Sequence, residues 1–423
     1  MARRLIDALF ALVALALLLP SVGLLGLLRR VRRRSLAVYG RLGRPLRLSV
    51  VRVFRHGRAR RLNRWPLLWA VLAGRLSLVG PRPVALHRPR PAYASFAVRP
   101  GLVSSQLLRE RANIAHDSRD VVDAGFIRSL SLKTYVAVLL KFALSTLLGR
   151  RAGPPQDVVA LLDVKIHNHT MAEALGRIAS LARAPGLSQV AFVNADCFNI
   201  AAREAAYRAL LQRVPLVLAD GIGIHVALKR FLRTPLKDNV NGTDLFPRLC
   251  RMAREQDLGI FLLGARPGVA QAVAQAAVQR VPGLRIVGVQ DGYFAADATD
   301  AAVATDAVID RINASGAHIL LVAMGAPRQD QWIAAHADRL RPGVALGVGG
   351  LFDFYSGRIA RAPMWMRELG LEWAYRLLQE PGRMWRRYLV GNPLFLWRVW
   401  RWQQRRAAAA RRDDGVALGG QRG

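Results

Sequence analysis

The sequence predicts an α/β protein: a Rossmann-like open, mostly parallel sheet with a C-terminal helical appendage, preceded by a small, membrane-associated, α-rich domain. Beyond residue 156, short apolar segments of strand length alternate with longer segments of helical periodicity. A Gly/Pro/Arg-rich stretch at 149–156 separates that region from the preceding one. The chain also begins with a long apolar run between basic flanks.

These observations divide the chain into five expected segments. They are a membrane anchor at 1–35, a small domain at 36–150, an α/β domain at 158–360, an Arg/Trp-rich appendage at 361–405 and a disordered tail at 406–423. The predicted strands of the α/β domain are 189–193, 216–219, 259–263, 285–289, 318–323 and 344–348. Its predicted helices are 171–182, 201–212, 244–256, 268–280, 300–315 and 329–339.

Composition limits the classes of partner. The chain has 423 residues, of which 52% are hydrophobic, and a formal net charge of +35 at pH 7. Such a charge requires a polyanionic neighbour: nucleic acid, anionic lipid headgroups or phosphorylated substrates. We expect no nucleic-acid partner, because no zinc finger, RRM or basic heptad pattern is present. Cys197 and Cys250 suggest a reducing cytoplasmic compartment, and no Cys/His cluster has the spacing of metal ligands.

The apolar run at 3–34 carries arginines on both sides and is interrupted by Pro20. Basic flanks prefer the cytoplasmic side of a membrane, so a single span would place one cluster on the wrong side. We therefore expect a helix that breaks at Pro20 and returns, or that lies at the interface. A cleaved signal peptide is the alternative, and no clear small-residue cleavage site supports it.

The stretch at 214–230, VPLVLADGIGIHVALKR, is the candidate chemical centre. It is typical of a buried parallel strand, a tight turn and a returning helix. Ligands of open α/β sheets bind beyond the carboxyl ends of the strands, which is where Asp220 would lie. The alternative is that Asp220 only caps the following helix.

Other predicted strands also end in glycine-rich or polar turns. These turns begin at Asn194, Gly264, Met324 and Gly349. Glycines let backbone amides approach a phosphate, and a helix N-terminus adds partial positive charge. Five such turns on one sheet edge predict a phosphate-containing ligand there.

Several motifs follow one another in order: VNADCFNIA (193–201), LADGIGIHVALK (218–229), NGTDLFPRL (241–249), FLLGARPGVA (261–270), MGAPRQDQWI (324–333), GVGGLFDFYSG (347–357) and RAPMWMRELGLEWAYRLLQEPGRMWRRYL (361–389). Over about residues 158–392 the chain resembles the WecG/TagA/CpsF glycosyltransferases. The resemblance implies an inverting, metal-independent enzyme that uses a UDP-sugar and no other cofactor. The implied acceptor is a saccharide on a polyprenyl diphosphate at the cytoplasmic face of the inner membrane, in exopolysaccharide or cell-envelope polysaccharide synthesis.

The same resemblance implies roles for individual residues. Asp220 would be the general base, Gln329 would orient the sugar or acceptor, and Arg383 would fold over the active site as a catalytic residue. The implied substrate-binding residues are Asn194, Gly221, Gly223, Asn241, Gly264, Gly325, Gly349, Gly350, Asp353, Arg376 and Arg386. Asp353 would contact uracil or ribose, with an Asx-turn as the alternative. Phe192 stands where the family often has Thr, so no hydroxyl is available there.

Arginines near the chain's end occur at roughly helical spacing, at Arg376, Arg383, Arg386 and Arg387. Bidentate guanidinium groups suit a diphosphate leaving group. The aromatic residues between them suit a membrane interface. A solvated basic helix whose aromatic residues complete the core is the alternative.

Residues 1–150 carry a second resemblance. The apolar segment and RLNRWPLLWAVLAGRLSLVGPRP (61–83) are similar to the bacterial sugar transferases, which are polyprenyl-phosphate phosphoglycosyl transferases. That family has an Asp-Glu pair where Asn63 and Arg64 stand here, and Asn cannot act as an anionic nucleophile. We therefore expect a degenerate, inactive domain kept as a membrane dock, with a helix at 135–148. A bifunctional enzyme that also primes polyprenyl phosphate, or a non-catalytic scaffold of a polysaccharide assembly complex, are the alternatives; the oligomeric state is unknown.

Overall fold

The computed structural model describes residues 2–28, 32–52, 65–88, 98–112, 119–147, 154–294, 301–363, 366–367 and 371–419. The chain forms two compact units, Met1–Gly149 and Arg150–Gly423. Each unit has a hydrophobic core of its own.

The first unit contains more strand than the sequence predicted. Its helices are α1 (Ala2–Leu28), α2 (Leu67–Leu72), α3 (Ser105–Ala112), α4 (Arg119–Arg128) and α5 (Leu132–Leu147). An antiparallel hairpin joins β1 (Arg32–Tyr39) to β2 (Pro45–Arg52), and β3 (Ser77–Val79) pairs in parallel with β4 (Gly101–Val103). The described secondary structure of this unit is mostly helical, as expected for an α-rich domain. The hairpin was not predicted, because its arginines obscure its apolar positions, such as the buried Val38 and Leu48.

Helix α1 is fixed to this core through buried polar contacts. The Asp7 carboxylate accepts hydrogen bonds from the Ser77 hydroxyl (2.8 Å), the Leu78 amide (3.0 Å) and the Tyr135 hydroxyl. The Arg4 guanidinium donates to the backbone carbonyls of Val71 and Leu72, the last two residues of α2. Because partners surround the Asp7 charge, its burial to 2% exposure is tolerated.

The expected break at Pro20 is wrong, since α1 continues through it to Leu28. A proline removes one backbone donor and can bend a helix without ending it. Within the described ranges, no helix combines the length and apolarity needed to cross a bilayer.

The second unit is built on a six-stranded sheet and confirms the predicted α/β class. The strands are β7 (Ser188–Val193), β8 (Leu216–Ala219), β9 (Ile260–Gly264), β10 (Ile286–Gln290), β11 (Ile319–Ala323) and β12 (Val344–Gly347). Their order is β10-β9-β11-β12-β7-β8, and each neighbouring pair is parallel. Every residue of β8, β9, β11 and β12 is buried, as expected for a parallel sheet covered on both faces. An antiparallel hairpin, β5 (Val158–Leu161) and β6 (Val164–His167), precedes the sheet and was not predicted.

The helices of this unit alternate with its strands. They are α6 (Met171–Arg183), α7 (Ala195–Ala201), α8 (Ala205–Arg213), α9 (Ile222–Ala227), α10 (Gly242–Glu255), α11 (Val269–Arg280), α12 (Ala301–Ala314), α13 (Arg328–Ala335) and α14 (Leu351–Tyr355). A single predicted helix at 201–212 is replaced by α7 and α8. Helix α7 begins directly after β7 because the Asn194 side chain caps it.

The C-terminal segment comprises α15 (Glu372–Gln379), α16 (Pro381–Trp385), a π-helical turn (Arg386–Val390) and α17 (Gly391–Gly419). Helix α17 extends to Gly419, which differs from the disordered tail expected from residue 406; residues 420–423 lie outside the described residues. Its run of alanines and arginines has high helix propensity. Phe395 and Val399 of α17 are fully buried in the core that α7 and α8 share.

Candidate active site

Asp220 lies at the carboxyl end of β8. Its backbone amide donates to the Val193 carbonyl (2.8 Å), which extends the pairing of β7 with β8 by one residue. Gly221 follows with φ of 87°, a conformation that favours glycine, and occupies the N-cap position of α9. No side chain caps α9, so the alternative that Asp220 serves as a helix cap is not what the structure shows.

Neighbouring charges and burial act on the Asp220 carboxyl in opposite directions. The pKa of Asp220 is raised to about 6, chiefly by burial and also by the negative charges of Glu372 and Asp244. The guanidinium groups of Arg387 and Arg376 lower it. The carboxyl group at the sheet's edge is therefore within electrostatic reach of the C-terminal segment.

Arg376 lies over the glycine turn that follows β12. Its Nη2 is 2.8 Å from the position that a Cβ on Gly350 would occupy, so a side chain there would displace the guanidinium. The Arg376 Cζ lies 5.3 Å from the ring centroid of Phe354, and its Nε lies 3.7 Å from Glu380. These contacts hold the guanidinium in one orientation at the sheet's edge.

The other arginines differ from the expectation. Arg387 pairs with Asp196 (Nε–Oδ2 3.5 Å) at the start of α7 and acts on Asp220. Arg383 is 64% exposed, pairs with Glu380 (3.4 Å), and is not among the main charges acting on Asp220; Arg386 lies against the Trp385 ring (5.3 Å). The π-helical turn changes the side-chain phase, so α-helical spacing does not predict which arginine faces the site.

Asn194 is placed beside Asp220 by the adjacent strand. Its Oδ1 accepts from the amides of Asp196 (3.0 Å) and Cys197 (3.2 Å), which fixes the side chain as the cap of α7. Gly223 permits α9 to approach closely, because a Cβ there would lie 3.2 Å from the Ala195 Cβ.

Gln329 is buried between two turns of the sheet's edge. It is 3% exposed, and its Oε1 accepts from the amides of Gly325 (3.1 Å) and Gly349 (2.9 Å). The side chain thus ties together the turns that follow β11 and β12. In this structure the amides of both glycines donate to Gln329, and their predicted role in substrate binding stays a prediction.

Apart from Asn241, the sequence analysis missed a hydrogen-bonded network whose Asp244 and Glu372 charges act on Asp220. The Asn241 Oδ1 accepts from the Asp244 amide (2.8 Å) and so caps α10. The Asn241 Nδ2 donates to the Asp244 carboxylate (2.8 Å), so both ends of the side-chain amide are occupied. Asp244 also accepts from Arg361 (2.6 Å) and Arg367 (2.8 Å), and Arg361 reaches Glu372 (3.4 Å). The Asn-x-x-Asp cap is the local sequence signal of this network.

The remaining predicted residues lie in the turns. Gly264 has φ of 121°, and a Cβ there would lie 2.6 Å from the Ala323 carbonyl oxygen. The Asp353 carboxylate pairs with Arg358 (3.3 Å), which differs from the Asx-turn alternative. Within the part of the chain that the structure describes, no group of three or more His, Cys, Asp or Glu side chains could hold a metal ion. Asn63 and Arg64 lie outside the described residues.

Two sequence-family models match this chain. The sequence model described as the bacterial sugar transferase family matches residues 47–149. A Bacillus subtilis (strain 168) protein, N-acetylglucosaminyldiphosphoundecaprenol N-acetyl-beta-D-mannosaminyltransferase, is 33% identical over 200 residues, which is 47% of this chain and 74% of that protein. The model described as the glycosyl transferase WecG/TagA/CpsF family matches residues 159–409 and so includes the six-stranded sheet and most of the C-terminal segment. The chain therefore belongs to the WecG/TagA/CpsF family of glycosyltransferases, as a hexosyltransferase.

Proposed function

We propose that this protein transfers a hexosyl group from a UDP-sugar, with inversion and without a metal ion, to a saccharide on a polyprenyl diphosphate. The product would enter exopolysaccharide or cell-envelope polysaccharide synthesis. The observation that carries the proposal is the position of Asp220 at the end of β8, within reach of the charges of Glu372, Arg376 and Arg387. The activity named for the Bacillus subtilis relative, which joins N-acetylmannosamine to an N-acetylglucosaminyl diphosphoundecaprenol, supports the class of acceptor.

Asp220 is the proposed general base. The acceptor hydroxyl oxygen bonds to the anomeric carbon, the bond from that carbon to UDP breaks, and Asp220 takes the hydroxyl proton. A carboxyl group with a pKa of about 6 is mostly ionised at pH 7 and is more basic than an ordinary aspartate. Attack opposite the leaving group inverts the anomeric configuration.

Arg376 and Arg387 are the proposed partners of the departing diphosphate. UDP leaves with additional negative charge, and guanidinium groups donate paired hydrogen bonds to phosphate oxygens. Arg376 already lies over Gly350, where the missing side chain leaves room beside it. This arrangement assigns leaving-group stabilisation to the C-terminal segment.

The variant Asp220→Asn tests the proposal because it keeps the shape of the side chain and removes its basicity. We expect turnover to fall about 10²- to 10⁴-fold, with UDP affinity retained. UDP release is measured with UDP-N-acetylmannosamine and a polyprenyl-diphosphate-linked N-acetylglucosamine, and UDP binding is measured by calorimetry. Asp257→Asn, in an exposed pair with Arg285, is the charge-matched control. Near-normal turnover of Asp220→Asn would contradict the proposal.

Metal removal tests the role given to the arginines. If guanidinium groups supply the countercharge for UDP, dialysis against EDTA should change turnover by less than about twofold. The same assay is run with and without added Mg²⁺. Turnover that disappears with EDTA and returns with Mg²⁺ is the result that would overturn this part of the proposal.

We further propose that the protein works at the cytoplasmic face of the inner membrane. Helix α1 exposes large apolar side chains along one side, with Leu5 70%, Leu9 65% and Leu17 75% exposed, and Leu140 of α5 is 60% exposed. Contiguous exposed apolar surface of this kind marks an interaction site. Because the proposed acceptor is itself anchored in a membrane by its lipid, we propose that this apolar surface contacts lipid.

A further inference from the structure

A cavity lined by residues other than those around Asp220 lies in the Arg150–Gly423 unit. It has a volume of about 300 Å³ and is bounded by the turn between β5 and β6, by α7 and α8, and by α17. None of the residues placed around Asp220 lines it. Its volume is at the lower end of the range for small-molecule sites.

The lining of the cavity is strongly basic. Four arginines contribute to it: Arg208, Arg398, Arg401 and Arg405. The single acidic residue among its lining residues is Asp163, and the Asp163 carboxylate accepts a hydrogen bond from the Trp402 indole (3.0 Å). The four guanidinium groups therefore face one carboxylate that already has a neutral donor.

Crowding of positive charge is visible at Arg398. Burial lowers the pKa of its guanidinium from the usual value, and the neighbouring charge of Arg203 lowers it further. An anion in the cavity would relieve both effects, because it would compensate the charge in a partly desolvated setting.

Two of the guanidinium groups are held in place by neighbouring side chains. Arg398 donates to the Oδ1 of Asn199 (2.6 Å), and the Arg401 Cζ lies 5.2 Å from the ring centroid of Trp397. The rings of Phe198 and Phe395 pack 5.6 Å apart and fix α7 against α17. Little side-chain freedom would therefore be lost when an anion binds.

We infer that this cavity is a phosphate-binding site, separate from the site at Asp220. The planar fork of guanidinium donors matches the oxygens of a phosphate group, and arginine keeps its charge at all physiological pH values. The phosphate could belong to a lipid headgroup or to a small soluble molecule. Both sources present the same phosphate oxygens to the guanidinium groups, and the titrations of two probes distinguish the sources.

The test uses the full-length protein in neutral detergent at fixed ionic strength. Inorganic phosphate and short-chain dihexanoylphosphatidylglycerol are titrated separately by calorimetry. We expect at least one of these probes to bind, with an association constant at least about tenfold lower in the double variant Arg401→Gln/Arg405→Gln. Binding of both probes would show a site open to soluble phosphates, whereas binding of the lipid alone would show a headgroup site.

The double variant Arg251→Gln/Arg254→Gln is the control. It removes the same charge from exposed positions of α10, outside the cavity lining, and should bind the probes like the wild type. The inference is overturned if the wild type binds neither probe, if the Arg401/Arg405 variant binds as the wild type does, or if the control loses affinity equally.

Discussion

Burial and a short chain of charged residues together raise the proton affinity of Asp220. After burial, the negative charge of Glu372 is the largest influence that raises its pKa. Arg361 lies 3.4 Å from Glu372 and 2.6 Å from Asp244, so α10 helps to position Glu372 through one guanidinium. Glu372 is thus a positioning residue that acts on the proposed base through its charge.

Replacing Glu372 with Gln should therefore change the pH dependence of turnover. Removing the negative charge lowers the pKa of Asp220, so the base stays ionised at lower pH. We expect the acid limb of kcat/KM, near pH 6 in the wild type, to move to lower pH by up to about one unit. The position of the acid limb is measured from initial rates between pH 4.5 and 8, a range that includes the raised pKa of Asp220.

Asp257→Asn serves as the control for that experiment, because its carboxylate pairs with Arg285 on the surface. Its acid limb should coincide with that of the wild type. An acid limb of Glu372→Gln that stays in place, or moves to higher pH, would contradict the assignment of Asp220 as the base.

Among the elements, α7 connects the sheet to the C-terminal segment. Its Asn199 side chain donates to the Gly391 carbonyl (2.8 Å) and accepts from Arg398 (2.6 Å). One turn earlier, Asp196 pairs with Arg387 (3.5 Å). The motif that begins at Asn194 therefore both borders Asp220 and holds the start of α17.

The variant Asn199→Ala should loosen the C-terminal segment. Loss of two hydrogen bonds to partly buried groups should reduce the free energy of local opening by about 1–3 kcal/mol. Hydrogen exchange of the amides at 386–395 should become faster, and turnover should fall because Arg387 is held less firmly. Hydrogen–deuterium exchange with mass spectrometry measures the first effect.

Asn313→Ala is a matched control, because Asn313 also bridges a helix to a loop, with contacts of 2.9 Å to Arg339 and to Arg341. It should leave exchange at 386–395 unchanged. Equal exchange there in Asn199→Ala and the wild type would show that the other contacts of α17 suffice.

For the whole molecule, net charge and exposed apolar surface together favour the proposed association with an anionic lipid surface. The chain carries a net charge of +35. Leu9 and Leu17, two of the exposed leucines of α1, lie on a helix whose opposite side is tied to the core through Asp7. Electrostatic attraction and burial of apolar side chains add in such binding.

The double variant Leu9→Glu/Leu17→Glu should weaken association with vesicles that contain phosphatidylglycerol by about tenfold or more. Its unfolding temperature should be unchanged, because both side chains are exposed. Co-sedimentation measures the association. Val278→Glu/Val303→Glu, at exposed positions of the other unit, is the control, and an equal loss in that control would contradict docking through α1.

Local patterns in the sequence determined the α/β class, the strands that end at Val193 and Ala219, and the position of Asp220 after one of them. These features depend on periodicity and on turn residues, which act between neighbours in the chain. The tertiary structure alone decided that Gln329 ties two turns together, that Asp244, Arg361 and Glu372 form a network, and that Arg387 rather than Arg383 acts on Asp220. Those contacts join residues far apart in sequence, and their partners depend on how helices pack and on the phase of one π-helical turn, which no local pattern encodes.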